Sequence, residues 1–464
     1  MGNSFAICGF LLLAVTTLHG ATRIWVGAPG TNWSDPANWA DNALPTPADK
    51  VSITNDAHIV VDRDYSADEP AASNLVTQSG CSVKISGGHT LYLYNGATNM
   101  DVSAGGKIVN SKAALEVTGS GTKVYAMSYL PNSEKNDATC QGVLNVTGGA
   151  YFECNAFRPD PSTAISAIGS DANGVRSKIV IGAGSQRLIP TDSQFVADGG
   201  DVVLKKYEDA RRKWDLTAKN YKPTVVARND GTNDWTEVNF GNRGGMYATA
   251  ESGGAIVFGN IPCHNVWSDA TQTNETYYDT FHLTNGVVYA NAIPGYYDYS
   301  RVYLTFAGDT PLLSVNELNL GKPGAKEYKG GEIGFADVTL APTPAWTNND
   351  CIVEMRDASK QLNLGTNLIF RLDVTGLKNW ADRDGGTLVL PVFRAARQGR
   401  ASSPSVNPKA SMLVDGRWPV TNIVGRQAER YAASFGYREG DDEYRFFDLT
   451  VTKRRKTSLT IRLR

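Results

Sequence analysis

The chain has 464 residues, 41% of them hydrophobic and 20% charged, with 46 glycines. That much apolar surface buries a core and excludes a disordered polyelectrolyte, and 45 Lys and Arg against 47 Asp and Glu leave no broad basic field for nucleic acid. Only the N-terminus carries a long apolar run, which excludes a polytopic membrane protein, and glycine above the usual ~7% leans toward β structure with many turns.

Phe5 to Leu18 is a short apolar run followed by small residues at Gly20 and Ala21. It is too short for a stable bilayer anchor and reads as the core of a secretory signal peptide over residues 1–20, cleaved after Gly20. Residues 2 to 10 hold no Lys or Arg, so only the terminal amine supplies positive charge, and a buried N-terminal strand or helix is the alternative. Removal of Cys8 leaves Cys81, Cys140, Cys154, Cys263 and Cys351. An odd number without C-x-x-C supports neither a disulfide framework nor a zinc site. The cysteines are expected as small buried hydrophobes, with one Cys140–Cys154 bridge as the alternative.

Residues 21–62 form a Trp-rich opening: Ile24-Trp25-Val26-Gly27, then Asn32-Trp33-Ser34-Asp35-Pro36-Ala37-Asn38-Trp39, then Leu44-Pro45-Thr46-Pro47-Ala48-Asp49. The prolines build a turn, and short strands follow at Val51 to Ile53 and His58 to Val61. Three Trp within fifteen residues suit a plug over the end of a sheet stack better than an exposed sugar platform, because exposed Trp is costly. This segment resembles the N-terminal motif of large exported bacterial surface proteins with autotransporter-passenger-like repeats. The resemblance implies location and a β-solenoid architecture. It implies no reaction, since such proteins share no catalytic residues to transfer.

Val83-Lys84-Ile85-Ser86-Gly87-Gly88, Leu115-Glu116-Val117-Thr118-Gly119-Ser120 and Leu144-Asn145-Val146-Thr147-Gly148-Gly149 repeat one phrase. Each is followed by a second alternating stretch, and later echoes begin at Ile179, Phe195 and Gly253. Leu318-Asn319-Leu320-Gly321 recurs as Leu362-Asn363-Leu364-Gly365. Period-two alternation marks half-buried strands, with the glycines at bends. A unit near thirty residues predicts an all-β, right-handed parallel β-helix (β-solenoid) over 63–395, with an N-terminal cap and a C-terminal β segment at 396–464. Hairpins in a sandwich stay open, signalled at Asn95-Gly96, Asn173-Gly174, Asn285-Gly286 and Asp230-Gly231. Asp201 to Lys222 departs from the alternation and reads as a short helix or an insertion loop.

No catalytic signature emerges. His58, His89, His264 and His282 lack metal spacing, and no nucleophile elbow or Walker loop is present. Asp192, Asp198 and Asp201 could supply a lyase's carboxylates and Arg187 its base, at a spacing commonplace in loops. Asp171 to Gly174 and Asn229 to Asp234 are oxygen-rich turns that complete no calcium loop. No catalytic residue, metal or cofactor is assigned.

The candidate ligand-binding residues are Tyr277, Tyr278 and Asp279 with their near-copy Tyr296, Tyr297 and Asp298. Tyr faces stack on sugars and carboxylates bond hydroxyls, whereas a structural aromatic ladder is the competing use. Residues 396–464 end in a basic tail without a barrel, an apolar anchor helix or a sorting signal, so no transmembrane anchor is expected in the mature chain. The resulting expectation is a non-enzymatic secreted or cell-surface scaffold, adhesin-like or part of a matrix, with surface polysaccharide or matrix glycans as partners. The alternative is a polysaccharide lyase or hydrolase on the same scaffold.

Overall fold

The repeated phrase becomes adjacent parallel strands. Ser82–Ser86, Ala114–Thr118 and Val143–Thr147 lie side by side, with Val83 opposite Leu115 and Leu115 opposite Leu144. Their Val, Ile and Leu side chains are fully buried, while Lys84, Glu116 and Asn145 between them are half-buried. That is the two-residue period of a strand with one face on a core. The same inward column continues through Ile165, Phe195, Val225, Ala248, Phe281, Leu304, Val338 and Phe370, each opposite the last.

The structure, a computed structural model, describes residues 20–93, 106–110, 112–130, 142–157, 163–182, 193–205, 214–216, 223–240, 245–259, 261, 279–295, 301–321, 335–360, 362–365, 367–377, 380, 386–396, 406–408, 412–438 and 444–454. Among them the chain is all-β, with long parallel sheets and only short 3-10 turns besides. One sheet has 14 strands, from Thr31–Asn32 to Asn422–Val424, all parallel. The other has 20 strands and is mixed. Its parallel body includes Lys123–Leu130, Tyr151–Phe157, Lys178–Gly182 and Asp201–Lys205 in register. At its C-terminal end, Thr387–Ala396 pairs antiparallel with Tyr444–Lys453. That strand pairs antiparallel with Tyr431–Arg438, which in turn pairs with Trp418–Val420.

Over much of the chain consecutive strands alternate between the two large sheets and pair with strands of preceding and following turns, whereas Thr387–Ala396, Val406–Pro408 and Trp418–Val420 follow one another in the second sheet. Several second-sheet strands bend midway: residues 123–126 pair with Thr90–Leu93, while 128–130 pair with Lys107–Asn110. Strands Val287–Gly295 and Leu312–Leu320 pair along two such segments. Each turn of the chain is here termed a rung; it places a strand in the first sheet and one or two strand segments in the second.

The passage from first to second sheet is a glycine corner. Gly253 has φ of +82°, and a Cβ on Gly254 would stand 2.2 Å from the backbone carbonyl of Ala227 on the preceding rung. Asp230-Gly231 and Asn285-Gly286 occupy the same kind of corner between sheets and do not turn hairpins: the strands they join pair with other rungs, all in parallel. Asp201–Lys205, expected within a helix or insertion loop, is a regular strand, and Trp214–Leu216 is another, parallel to Val238–Phe240. The apolar Val202 and Leu204 alternate with Asp201, Val203 and Lys205 and face inward. The charged residues further along the segment masked that alternation.

Inside, aromatic rings run from rung to rung: Tyr129, Phe157, Phe195, Trp235, Phe258 and Phe281, with centroids 4.9–6.3 Å apart. At the N-terminal end, Trp33 and Trp39 are each 1% exposed and Trp25 4%. Trp39 sits edge-on to both others at 5.0 Å and donates its indole N–H to the Trp33 carbonyl at 3.0 Å. These rings offer no free face to a sugar. The chain after Trp33 folds back so that Val26 N–H meets the Asn38 carbonyl and Ala40 N–H the Ile24 carbonyl, covering the edge of Thr22–Ile24. Cys81, Cys154 and Cys351 are buried free thiols, as expected of small hydrophobes; Cys140 and Cys263 lie outside the described residues.

Candidate binding groove

Of the residues singled out from sequence, Tyr277, Tyr278, Tyr296, Tyr297 and Asp298 lie outside the described residues. Asp279 opens strand Asp279–Thr284 with its side chain inward, 2% exposed, accepting the Met246 N–H at 3.2 Å. Burial pushes its carboxyl up to about 8 despite that hydrogen bond. The folded state thus holds a proton that the unfolded state releases near pH 4. Its contribution to stability is complete below about pH 4 and is lost as pH rises through about 8. Urea titrations at pH 5 and pH 9 should show a lower midpoint at pH 9, and Asp279→Asn should flatten that difference.

The remaining polar candidates are engaged within the protein. Asp198 pairs with Arg228 at 2.8 Å and Asp201 with Arg176 at 3.0 Å, while Asp192 and Arg187 lie outside the described residues. The Asp171 carboxylate accepts the Asn173 and Val175 N–H groups and the Ser120 hydroxyl, which is turn chemistry. His58 bonds the Ser86 hydroxyl at 2.8 Å. Among the described residues no cluster of three or more metal-ligating side chains forms.

Two outward aromatic features differ in kind. Tyr92, Tyr125 and Tyr151 sit on three consecutive rungs with centroids 5.6 and 5.5 Å apart. Their faces cover one another, which is the packing of a structural ladder. Tyr289, by contrast, follows Val257 and precedes Ser314 in register, is 36% exposed and makes no ring contact among the described residues. It lines a groove of about 560 Å³ together with Thr236, Glu237, Val257, Asn291, Asn316 and Arg356.

This groove lies at the bend between the two segments of the second sheet. It spans five successive rungs, which at ~4.8 Å per strand is about 19 Å, the length of an oligosaccharide and not of a single sugar. Asn316 donates its amide to the Asn291 carbonyl oxygen at 2.8 Å, which holds both side chains at the bend. The Arg356 guanidinium makes one long bond, to the Ala290 carbonyl at 3.4 Å, and has no carboxylate partner among the described residues.

The nearby acids are already taken. Glu354 accepts from Arg394 at 2.6 Å and from the Ser314 hydroxyl at 2.9 Å, while Glu317 pairs with Lys360 at 3.0 Å and accepts from Asn319. Glu237 is exposed and pairs with no described cation. The groove therefore collects a part-exposed aromatic ring, a guanidinium, a carboxylate and two amides.

No sequence signal pointed to these residues, because the groove draws single side chains from rungs far apart in the chain. Only the neighbouring Leu-Asn-Leu-Gly repeat hinted at this bend. Its Asn319 and Asn363 are paired in register, with Asn363 donating to Asn319 at 2.6 Å.

The fold and groove define a class: an all-β protein of long parallel sheets whose outer bends carry polar side chains. Comparison with protein-family models, with curated proteins and with solved structures returns no match.

Proposed function

We propose that the chain is an exported, non-enzymatic right-handed parallel β-helix, an adhesin-like or matrix scaffold that binds surface polysaccharide along the groove at Tyr289. The groove itself carries this reading: a part-exposed tyrosine beside amide, carboxylate and guanidinium groups, extended over several rungs. Sugars present C–H faces for an aromatic ring and hydroxyls for amides and carboxylates. Arg356 adds a planar donor fork suited to a uronate carboxylate or a sulfate. The apolar run at Phe5 to Leu18 and the Trp-rich opening support export. No helix among the described residues is long and apolar enough to cross a membrane.

The test is a titration of the purified protein with neutral and acidic polysaccharides. Tyr289→Ala is expected to weaken binding of both kinds about tenfold, or ~1.4 kcal/mol. Arg356→Ala should weaken only the acidic ones. Unchanged affinity in both variants would remove the groove from the proposal, and release of reducing or unsaturated ends would replace a scaffold by an enzyme.

A further inference from the structure

Asp49 ends the turn built by Pro45 and Pro47, and its side chain is 4% exposed. Three donors converge on the carboxylate: Ala21 N at 2.6 Å, Thr46 N at 2.9 Å and Arg23 Nε at 3.1 Å. Burial alone would raise this carboxyl, yet the bonds from Thr46, Arg23 and Ala21 hold it below the usual range.

The same corner is clamped through the backbone. Lys50 N–H donates to the Ala21 carbonyl, and Ser73 donates to the Asp49 carbonyl through both its N–H and its hydroxyl. The charges do not balance, however. Arg23 is shared between Asp49 and Asp41, so one guanidinium answers two carboxylates. At Gly20 a Cβ would stand 1.7 Å from the Ala48 carbonyl oxygen, so the chain entering Ala21 runs directly against the backbone of that turn.

We infer that the chain is hydrolysed between Gly20 and Ala21 and that the released Ala21 ammonium is seated on Asp49 as the N-terminus of the mature protein. The inference rests on the export proposed above. Water adds across the amide: its oxygen goes to the Gly20 carbonyl carbon, which becomes a carboxylate, and the protons go to the Ala21 nitrogen, which leaves as an ammonium. No redox partner is needed, and the catalyst is a peptidase of the export route. Because the bond packs against Ala48 in the folded chain, it is cut before this corner folds. The ammonium then supplies the second positive charge, in the place where the backbone N–H already donates.

The experiment starts from the full chain, leader included, expressed in a secreting bacterial host. Cell and exported fractions are separated, and the N-terminus of the exported protein is sequenced. The expected first residue is Ala21. The α-amine of that protein is then acylated with a small amine-reactive ester. It should react at least tenfold more slowly in the native state than in urea, and Asp49→Asn should abolish that protection. If Asp49→Asn does not fold, the native-to-urea ratio of the wild type decides alone. An exported chain beginning at Thr22, or an Ala21 amine equally reactive in both states, overturns the inference while leaving export intact. A chain retained in the cell with Met1 overturns export and this processing together.

Discussion

Trp39→Ala is expected to lower the unfolding free energy of the N-terminal rungs by about 3–5 kcal/mol, the usual cost of removing a buried Trp. Trp39 is 1% exposed and is the ring that both Trp25 and Trp33 contact, so its loss uncovers two further indoles and strands the Trp33 carbonyl. Stacked rungs couple mainly to their nearest neighbours, so the damage should stay local. Hydrogen exchange is the suitable measurement. Protection at Lys50–Ile53 and Ala57–Val60 should fall by about two to four orders of magnitude, whereas protection at Val287–Gly295 should hold. Equal loss along the chain would mean that the stack melts as one unit and that the Trp cluster is coupled to the whole of it.

Gly254→Val is expected to cost about 3 kcal/mol, the upper end for overpacking, and to reduce soluble yield. The clash is with the Ala227 carbonyl, backbone of a paired strand that cannot rotate away as a side chain would. Gly80 is the control. Unlike Gly254 it has positive φ, +85°, and nothing lies within 4 Å of its would-be Cβ. Gly80→Asn, a residue that tolerates the left-handed region, should therefore be nearly neutral in urea denaturation. A costly Gly80→Asn beside a mild Gly254→Val would show that backbone conformation, and not spacing between rungs, governs these corners.

The architecture was legible where one chemical pattern repeats. The phrase at Val83, Leu115 and Leu144 marks three strands that are neighbours in register, and the Leu-Asn-Leu-Gly pair marks two that stack through their asparagines. The echo at Ile179 belongs to the other sheet, because both sheets use the same inward alternation and sequence alone does not tell them apart. Asp201–Lys205 was obscured by the charged residues that follow it. The groove was illegible for a different reason. Tyr289, Asn316 and Arg356 look like ordinary solvent-facing residues, and what distinguishes them is that register brings them from separate rungs to one groove. Asp279 read as a ligand acid because it follows two tyrosines, yet its position opening a strand turns it inward.

The way the sheets end bears on how the molecule behaves in a crowded solution. A long parallel sheet is a template on which any extended chain can add a strand, and aggregation begins at such templates. Here the first sheet stops in a two-residue strand at one end and a three-residue strand at the other. The second sheet is closed by the fold-back over Thr22–Ile24 and by antiparallel strands whose direction mismatches the parallel stack. A stray copy meets a donor row too short to hold it or a partner running the wrong way. Short terminal strands and an antiparallel end thus reduce the open parallel edge on which a second copy could pair.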